Sequence, residues 1–538
     1  MLLQRLQTIL NAGTRVAGSL TPGHLKVMSL LAINGTWETP RRALFSGRAL
    51  AAVEKLPAIY WTLEWDNFTH PTPLGNRKFF NLVFSFGGGA AFRRKCEKET
   101  DGCHKAEKRG SRGRPSFAFG PNRTLSKERL GHVVLSAHWD SKNFTQFDFL
   151  GACDSAIPLV YLLESMRTMS VLSDTVAVLN ALKCTAGLDD ASRCDCIQQL
   201  LSPTYLAALR YYYAGDEETS ACLNGKYRDG KSSRKGPIHN SFFQLLRRVE
   251  HIPATTVIFF DGEEAFVKWE GNDNTYGSSH LAKAWKKMRI NATTSASHGG
   301  TALAASRFDT IDLFVLYDLM GTAGSQFHNF FPDQSGIAFA KLAHLEHMHR
   351  RRAAELWKLH EEIDELRRNS GISENEIPNS THVDEFCVQR LPRLWCVHGP
   401  PHDMFTLYGV PKLYGSTHTS SEIAKLWLPP VDNSAPGGRG ITNSRRNGAA
   451  KNLNVFFPSW EALARGAVLE AGGGVMDDHI HWLETQRVLH LIPAPFPTSW
   501  HTAQDDGSEI DGGTVVDLFR ILCEFTLHLG EGWMETVS

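Results

Sequence analysis

Thr256-Val257-Ile258-Phe259-Phe260-Asp261-Gly262-Glu263-Glu264-Ala265-Phe266 is the stretch whose reading decides the fold. β-Branched and aromatic residues run without a polar break and then stop at Asp-Gly. That is the pattern of a strand buried on both faces, with a turn at its carboxyl end. Open α/β sheets bind ligands at that end of their strands. Two adjacent glutamates repel each other, and burying both requires a cation or a shared proton. A metal ligand beside a proton-transferring carboxylate meets that requirement. The plain alternative is a pair of solvated glutamates opening a helix, whose first turn favours negative charge.

The same design recurs outward from this stretch. His132-Val133-Val134-Leu135-Ser136-Ala137 reads as a buried strand that delivers His138-Trp139-Asp140-Ser141-Lys142. Ile311 to Tyr317 ends in Asp318, and Val488 to Ile492 carries His490 before a proline-rich loop to Trp500-His501. Ile59 to Trp65 and Lys78 to Phe86, turned through Pro71, Pro73 and Gly75, read as an antiparallel pair at the sheet edge. Gly151-Ala152-Cys153-Asp154-Ser155 opens a helix running from Ala156 to about Met169, with Asp154 where an N-cap stands. Helices are also expected over His280–Met288, Ile337–Arg368 and Val515–Leu529. Leu356, Leu359, Ile363 and Leu366 keep heptad spacing in the second of these, which packs on the body or projects to a partner. Strands alternating with helices point to an α/β domain with a mostly parallel sheet. We divide the chain into an N-terminal helical segment, 1–57, and a single catalytic domain, 58–538, with insertions at 93–129, 173–250, 292–308 and 369–474.

Composition narrows the class. The 538 residues carry 57 Lys and Arg against 57 Asp and Glu, so bulk charge gives nucleic-acid binding no support. The basic run from Arg93 to Arg129 has few aromatic residues for base stacking, and it reads as a solvated insertion. No apolar stretch is long enough for a transmembrane helix. Met1 to Leu10 lacks the uninterrupted apolar core of a signal peptide, whereas sequons at Asn34, Asn67, Asn122, Asn143, Asn291 and Asn379 point toward a secretory route. Among ten cysteines, the local pairs Cys96/Cys103, Cys194/Cys196 and Cys387/Cys396 are close enough in sequence for disulfides, which spacing cannot assign.

Four strand ends thus offer His138 and Asp140, Glu263 and Glu264, Asp318, and His490, with Asp154 and His501 on adjoining turns. Each alone has an ordinary explanation as a satisfied core histidine or a helix cap. Together, oxygen and imidazole donors without cysteine suit a catalytic zinc that keeps one position open.

These residues also carry a family resemblance. His138-Trp139-Asp140-Ser141-Lys142, Gly151-Ala152-Cys153-Asp154-Ser155-Ala156 and Phe259 to Phe266 are similar to glutaminyl-peptide cyclotransferase, a relative of the zinc aminopeptidases. So are Trp269, Tyr276-Gly277-Ser278, Asp318-Leu319-Met320-Gly321, Asn329-Phe330-Phe331-Pro332 and Asp477-Asp478-His479-Ile480. His490 to Pro497 and Trp500-His501-Thr502 complete the match in the family's order. The resemblance implies a three-layer α/β/α sandwich with a mixed, mostly parallel central sheet. It implies one zinc ion per chain, held by Asp154, Glu264 and His501, with Glu263 as proton shuttle and Asp318 and Asp477 as its acidic network. Trp269, Phe496, Trp500 and His490 would bind substrate, while His138 and Asp140 would support the metal or hold a second one. The implied reaction converts N-terminal glutamine of peptides or proteins to pyroglutamate with loss of ammonia, or glutamate with loss of water, by a monomeric enzyme of the secretory pathway. The sequence departs from the family at Ala137 and Leu159, where animal members carry a cysteine pair, at His481 in place of proline, and at Met476 before the Asp-Asp pair. Rival readings are a two-metal zinc aminopeptidase using His138, Asp154, Glu264, Asp318 and His501, and a non-catalytic binding domain.

Overall fold

The computed structural model describes residues 2–56, 60–87, 132–184, 190–203, 241–249, 252–289, 306–349, 456–458, 475–485 and 487–529, with a few short pieces between 205 and 223. Among the described residues six strands form one sheet: β1 (Trp61–Thr72), β2 (Gly75–Phe86), β3 (His132–His138), β4 (Ala254–Phe260), β5 (Leu313–Tyr317) and β6 (Val488–Leu491). Their order is β1-β2-β4-β3-β5-β6. The hairpin β1/β2 and the pair β2/β4 are antiparallel, and β4, β3, β5 and β6 run parallel.

Two-residue periodicity divides each strand between two cores. Val133, Leu135 and Ala137 of β3, Val257 and Phe259 of β4, and Val315 of β5 face one core. The helices on that side are α1 (Leu2–Leu10), α2 (Pro22–Gly35), α3 (Ile157–Ala181) and α6 (Gly512–His528). Val134, Ile258, Phe260, Phe314 and Leu316 face the other core, against Leu281, Ala282 and Trp285 of α5 (Tyr276–Lys287) and Trp482. The helix α4 (Asp190–Leu200) lies between α3 and α5 in the chain. The expected three-layer α/β/α sandwich with a mixed sheet is the fold observed.

Several boundaries move for physical reasons. β1 continues through Pro71, which pairs with Asn76, because an edge strand tolerates a proline that cannot donate. The helix expected to end near Met169 continues to Ala181, with Val176, Val178 and Leu179 buried. It is enclosed on nearly every side, so its sequence shows no polar stripe to mark its extent. The helix expected from Ile337 begins at 332, with Pro332 in the first turn, where a missing N–H costs nothing. The heptad residues Leu356 to Leu366 and the insertion 93–129 lie outside the described residues, as do 292–305 and most of 369–474. Within the last, Phe456 and Phe457 are buried, and both backbone N–H groups donate to the Glu346 carboxylate. The N-terminal helices contribute Leu6, Ile9, Leu10, Val27 and Leu31 to the same core as the sheet.

The cysteine pairing is not the local one considered for Cys194 and Cys196. Cys184 bonds Cys196, and Cys194 bonds Cys222. Residues two apart on a helix such as α4 point roughly 200° apart around its axis, so they cannot bond each other. Cys153 and Cys523 are buried free thiols. Cys96, Cys103, Cys387 and Cys396 lie outside the described residues.

Candidate metal centre and active site

β4 delivers Asp261 and then Gly262, whose φ of +81° and whose close approach to Phe79 leave no room for a side chain. Glu263 and Glu264 follow, 6% and 4% exposed, so the solvated-pair alternative does not hold. Their backbone is locked from the neighbouring strand. Asp140 Oδ1 accepts from the N–H groups of Gly262 at 2.9 Å and Glu263 at 3.1 Å, and Oδ2 accepts from Glu264 N–H at 3.1 Å. Asp140 therefore stands behind the glutamates with both oxygens engaged.

Asp154 does not cap its helix, since no side-chain cap bond forms there. Its loop is instead gripped by Asp505, which accepts from the N–H groups of Cys153 and Asp154. This turns the Asp154 carboxylate toward His138 and His501. His501 Nε2 lies 3.4 Å from Asp154 Oδ2 and 3.2 Å from Glu264 Oε1. Lys142 Nζ donates to Glu264 Oε2 at 2.9 Å. On the other side, His138 Nε2 lies 3.1 Å from Asp154 Oδ1 and 3.3 Å from Asp318 Oδ1. Two groups with donor atoms mutually within 4.8 Å result, Asp154/Glu264/His501 and His138/Asp154/Asp318, sharing Asp154. A third is Asp477/His479/His490.

The electrostatics are those of anions crowded out of water. Burial, reinforced by Asp477 and Glu264, pushes the Glu263 carboxyl well above the usual range. Burial also raises Asp318 to about 8, against the opposing pull of His138. Burial works against charge on His501, but its hydrogen bonds to Asp154 and Glu264 prevail and raise it to about 9. The same bonds, with those of His138, hold Asp154 well below the carboxylate range despite burial. His138 Nδ1 and Nε2 and Asp318 Oδ1 are buried without a well-formed hydrogen bond. A hard or borderline divalent cation among these oxygen and imidazole donors would satisfy them, so the residues present fit a metal ion.

The other candidates flank this centre. His490 is 2% exposed and its Nε2 lies 2.7 Å from Asp477 Oδ2, so it stands behind that aspartate, not on an open wall. Asp478, also fully enclosed, has no hydrogen-bond partner among the described residues on either carboxylate oxygen. Trp500 is 38% exposed, stacked on His501 at 4.1 Å and edge-on to Phe496 at 4.8 Å. Trp269 sits half-buried on the loop after Glu264. That loop is organised by Asp273, which accepts from the N–H groups of Phe266, Val267 and Lys268 and from the Tyr276 hydroxyl. Burial opposes charge on Asp273, yet these four donors keep its carboxyl below the usual range. His481, the substituted position, bonds Thr275 Oγ1 at the start of α5.

Sequence reasoning missed Arg15, Asp505 and the buried pair of His24 with Asp261. Arg15 comes from the connection between α1 and α2, His24 from the first turn of α2, and Asp505 from a polar turn. No local pattern distinguished them from surface residues.

Fold and donors together define an α/β protein with a carboxylate–imidazole metal-type centre at its strand ends, and residues 123–179 match Peptidase family M28. The particular resemblance is to glutaminyl-peptide cyclotransferases. The chain is 22% identical to that of Dictyostelium discoideum over 469 residues, 87% of this chain and 74% of that one. It is 24% identical to that of Bos taurus over 472 residues, 87% and 71% of the two chains. A solved glutaminyl cyclase from Macrostomum lignano aligns over 97% of this chain and 92% of its own at 15% identity, with a TM-score of 0.37. The resemblance to the glutaminyl-peptide cyclotransferases read from the sequence is borne out.

Proposed function

We propose that this protein is a zinc-dependent glutaminyl-peptide cyclotransferase that converts N-terminal glutamine of peptides to pyroglutamate and releases ammonia, with N-terminal glutamate as a slower substrate. The observation that carries this is the division of labour after β4: Glu264 joins Asp154 and His501, while Glu263 stays a free, buried carboxyl beside them. Asp154, Glu264 and His501 would hold a zinc ion, which when bound would supply Lewis acidity toward the side-chain carbonyl of the substrate.

Glu263 accepts a proton from the substrate's α-amine as that amine attacks the carbonyl carbon of the side-chain amide and the five-membered lactam closes. It then returns the proton to the departing nitrogen, which leaves as ammonia. Burial raises its proton affinity, which suits it to hold the proton between the two transfers. Asp318 and Asp477 form the acidic surroundings of Glu263, with Asp477 held by His490. The nucleophile is tethered to the electrophile, so the reaction has the high effective molarity of ring closure. Trp269, Phe496 and Trp500 shelter the reacting atoms from water, which favours closure over hydrolysis. Its disulfides and sequons support a location in the secretory pathway. No described helix is long and apolar enough to cross a membrane.

A two-metal aminopeptidase is the second reading, supported by the adjoining group His138/Asp154/Asp318. Incubation of the purified protein with a Gln-initiated peptide, followed by mass spectrometry and metal analysis, separates the two. Ammonia loss with one zinc per chain is expected. Free N-terminal amino acid with two metals per chain would overturn the proposal.

A further inference from the structure

The connection between α1 and α2 places Arg15 in the interior, 0% exposed. A buried guanidinium persists only where its donors are satisfied. Arg15 Nε donates to the Trp139 carbonyl at 2.8 Å, Nη1 to Leu150 at 2.5 Å and Nη2 to Gly151 at 3.2 Å. Its backbone is tied as well: Arg15 N–H donates to Ser141 Oγ, and its carbonyl accepts from Ser141 N–H. One residue thus joins the end of β3 to the loop that presents Asp154.

Asp505 grips the opposite side of that loop. Its carboxylate accepts from the N–H groups of Cys153 and Asp154, and its carbonyl accepts from Ala152 N–H. Carbonyls therefore meet a cation and amides meet an anion, so the loop's peptide dipoles are clamped between opposite charges. Gly151 leaves little slack, with φ +58° and the Asp154 carbonyl 2.0 Å from where a Cβ would stand. Asp140, Asp154 and Asp505 all surround the guanidinium, which burial lowers only to about 10. His24, a few residues on, stacks on Trp139 and pairs with Asp261 under β4.

We infer that Arg15 is a positioning residue for the metal-ligand carboxylate of Asp154, and that the segment before α2 belongs to the active-site scaffold. The inference rests on Asp154 being a ligand, as proposed above. The test uses Arg15→Met, which keeps volume without donors, Arg15→Lys, which keeps the charge, and Arg5→Met as control. Arg5 bonds Glu164 and Asn34, and it contacts none of the candidate ligands. Zinc affinity is measured by competition with a chromophoric chelator, alongside kcat, KM and the thermal midpoint.

Arg15→Met should bind zinc about 10–100-fold more weakly and lose kcat more than KM, as removal of a ligand's support does. Arg15→Lys should fall between it and the unaltered protein. Arg5→Met should change only the thermal midpoint. Unaltered zinc affinity in folded Arg15→Met, with activity reduced only in proportion to the folded fraction, would overturn the inference. If Arg15→Met does not fold, unaltered zinc affinity and kcat in Arg15→Lys overturn it instead. Failure of the unaltered protein to bind zinc would instead remove the metal assignment itself, and the inference with it.

Discussion

Asp140→Asn is the substitution from which most can be worked out in advance. The aspartate receives three consecutive N–H groups, those of Gly262 and Glu263 on Oδ1 and that of Glu264 on Oδ2. Asparagine has one acceptor oxygen, so at least one of the three N–H groups must face an NH2. The cheaper orientation keeps the doubly used oxygen in place and strands the Glu264 N–H. Leaving one buried donor unpaired costs about 1–3 kcal/mol. Replacing charged by neutral acceptance in the other two bonds adds about 1 kcal/mol. The total, about 2–4 kcal/mol, falls largely on the residue that presents its carboxylate to His501. Zinc affinity should therefore drop about 10–100-fold, a factor worth about 1.4–2.8 kcal/mol. The local loss is large enough to account for it. Chelator competition, kcat with a Gln-initiated peptide and urea unfolding would be measured on Asp140→Asn and on Asp140→Ala, which removes all three acceptors and should be worse. An Asp140→Asn protein with unaltered zinc affinity and kcat would refute the idea that these three bonds set the two glutamates.

Glu263→Gln should retain zinc while kcat falls about 10²–10⁴-fold, the usual worth of a positioned proton-transfer group; near-normal turnover would remove Glu263 from the reaction. Asp273→Asn should raise KM with zinc affinity unchanged, because it loosens the loop bearing Trp269 and leaves the ligands alone. The folded pKa of Asp273 is depressed, so the contribution of its charge is present above the ordinary carboxylate range and lost as pH falls through the folded value. The KM difference between Asp273→Asn and the unaltered protein should accordingly shrink on acidification, and a gap that widens instead counts against this role. Cys194→Ser, which opens the bond to Cys222, should lower unfolding free energy by about 2–4 kcal/mol in denaturant titrations. An unchanged midpoint under oxidising conditions would show that the bridge contributes nothing.

How much was legible beforehand depended on the range of the interaction. Buried parallel strands announce themselves, because both faces must be apolar: β3, β4 and β5 read as apolar runs ending in polar residues, and β6 as an apolar run carrying His490. Glu263 and Glu264 could be singled out for the same reason, since carboxylates directly after such a strand lie at the ligand end of the sheet. The length of α3 was hidden by its near-complete enclosure, and the partners of Cys194 and Cys196 by the direction in which a helix points its side chains.

The sequence by itself determined the α/β class, the strand ends and the adjacency of the two glutamates, all consequences of hydrophobic periodicity over a few residues. Only the tertiary structure decided what each polar group does there. It set Asp140 behind the glutamates, turned Asp154 from a helix cap toward His501, and brought Arg15 and Asp505 to either side of one loop. Those placements depend on hydrogen bonds between residues more than a hundred positions apart, which no local pattern records, and on the exclusion of water that makes each such bond count.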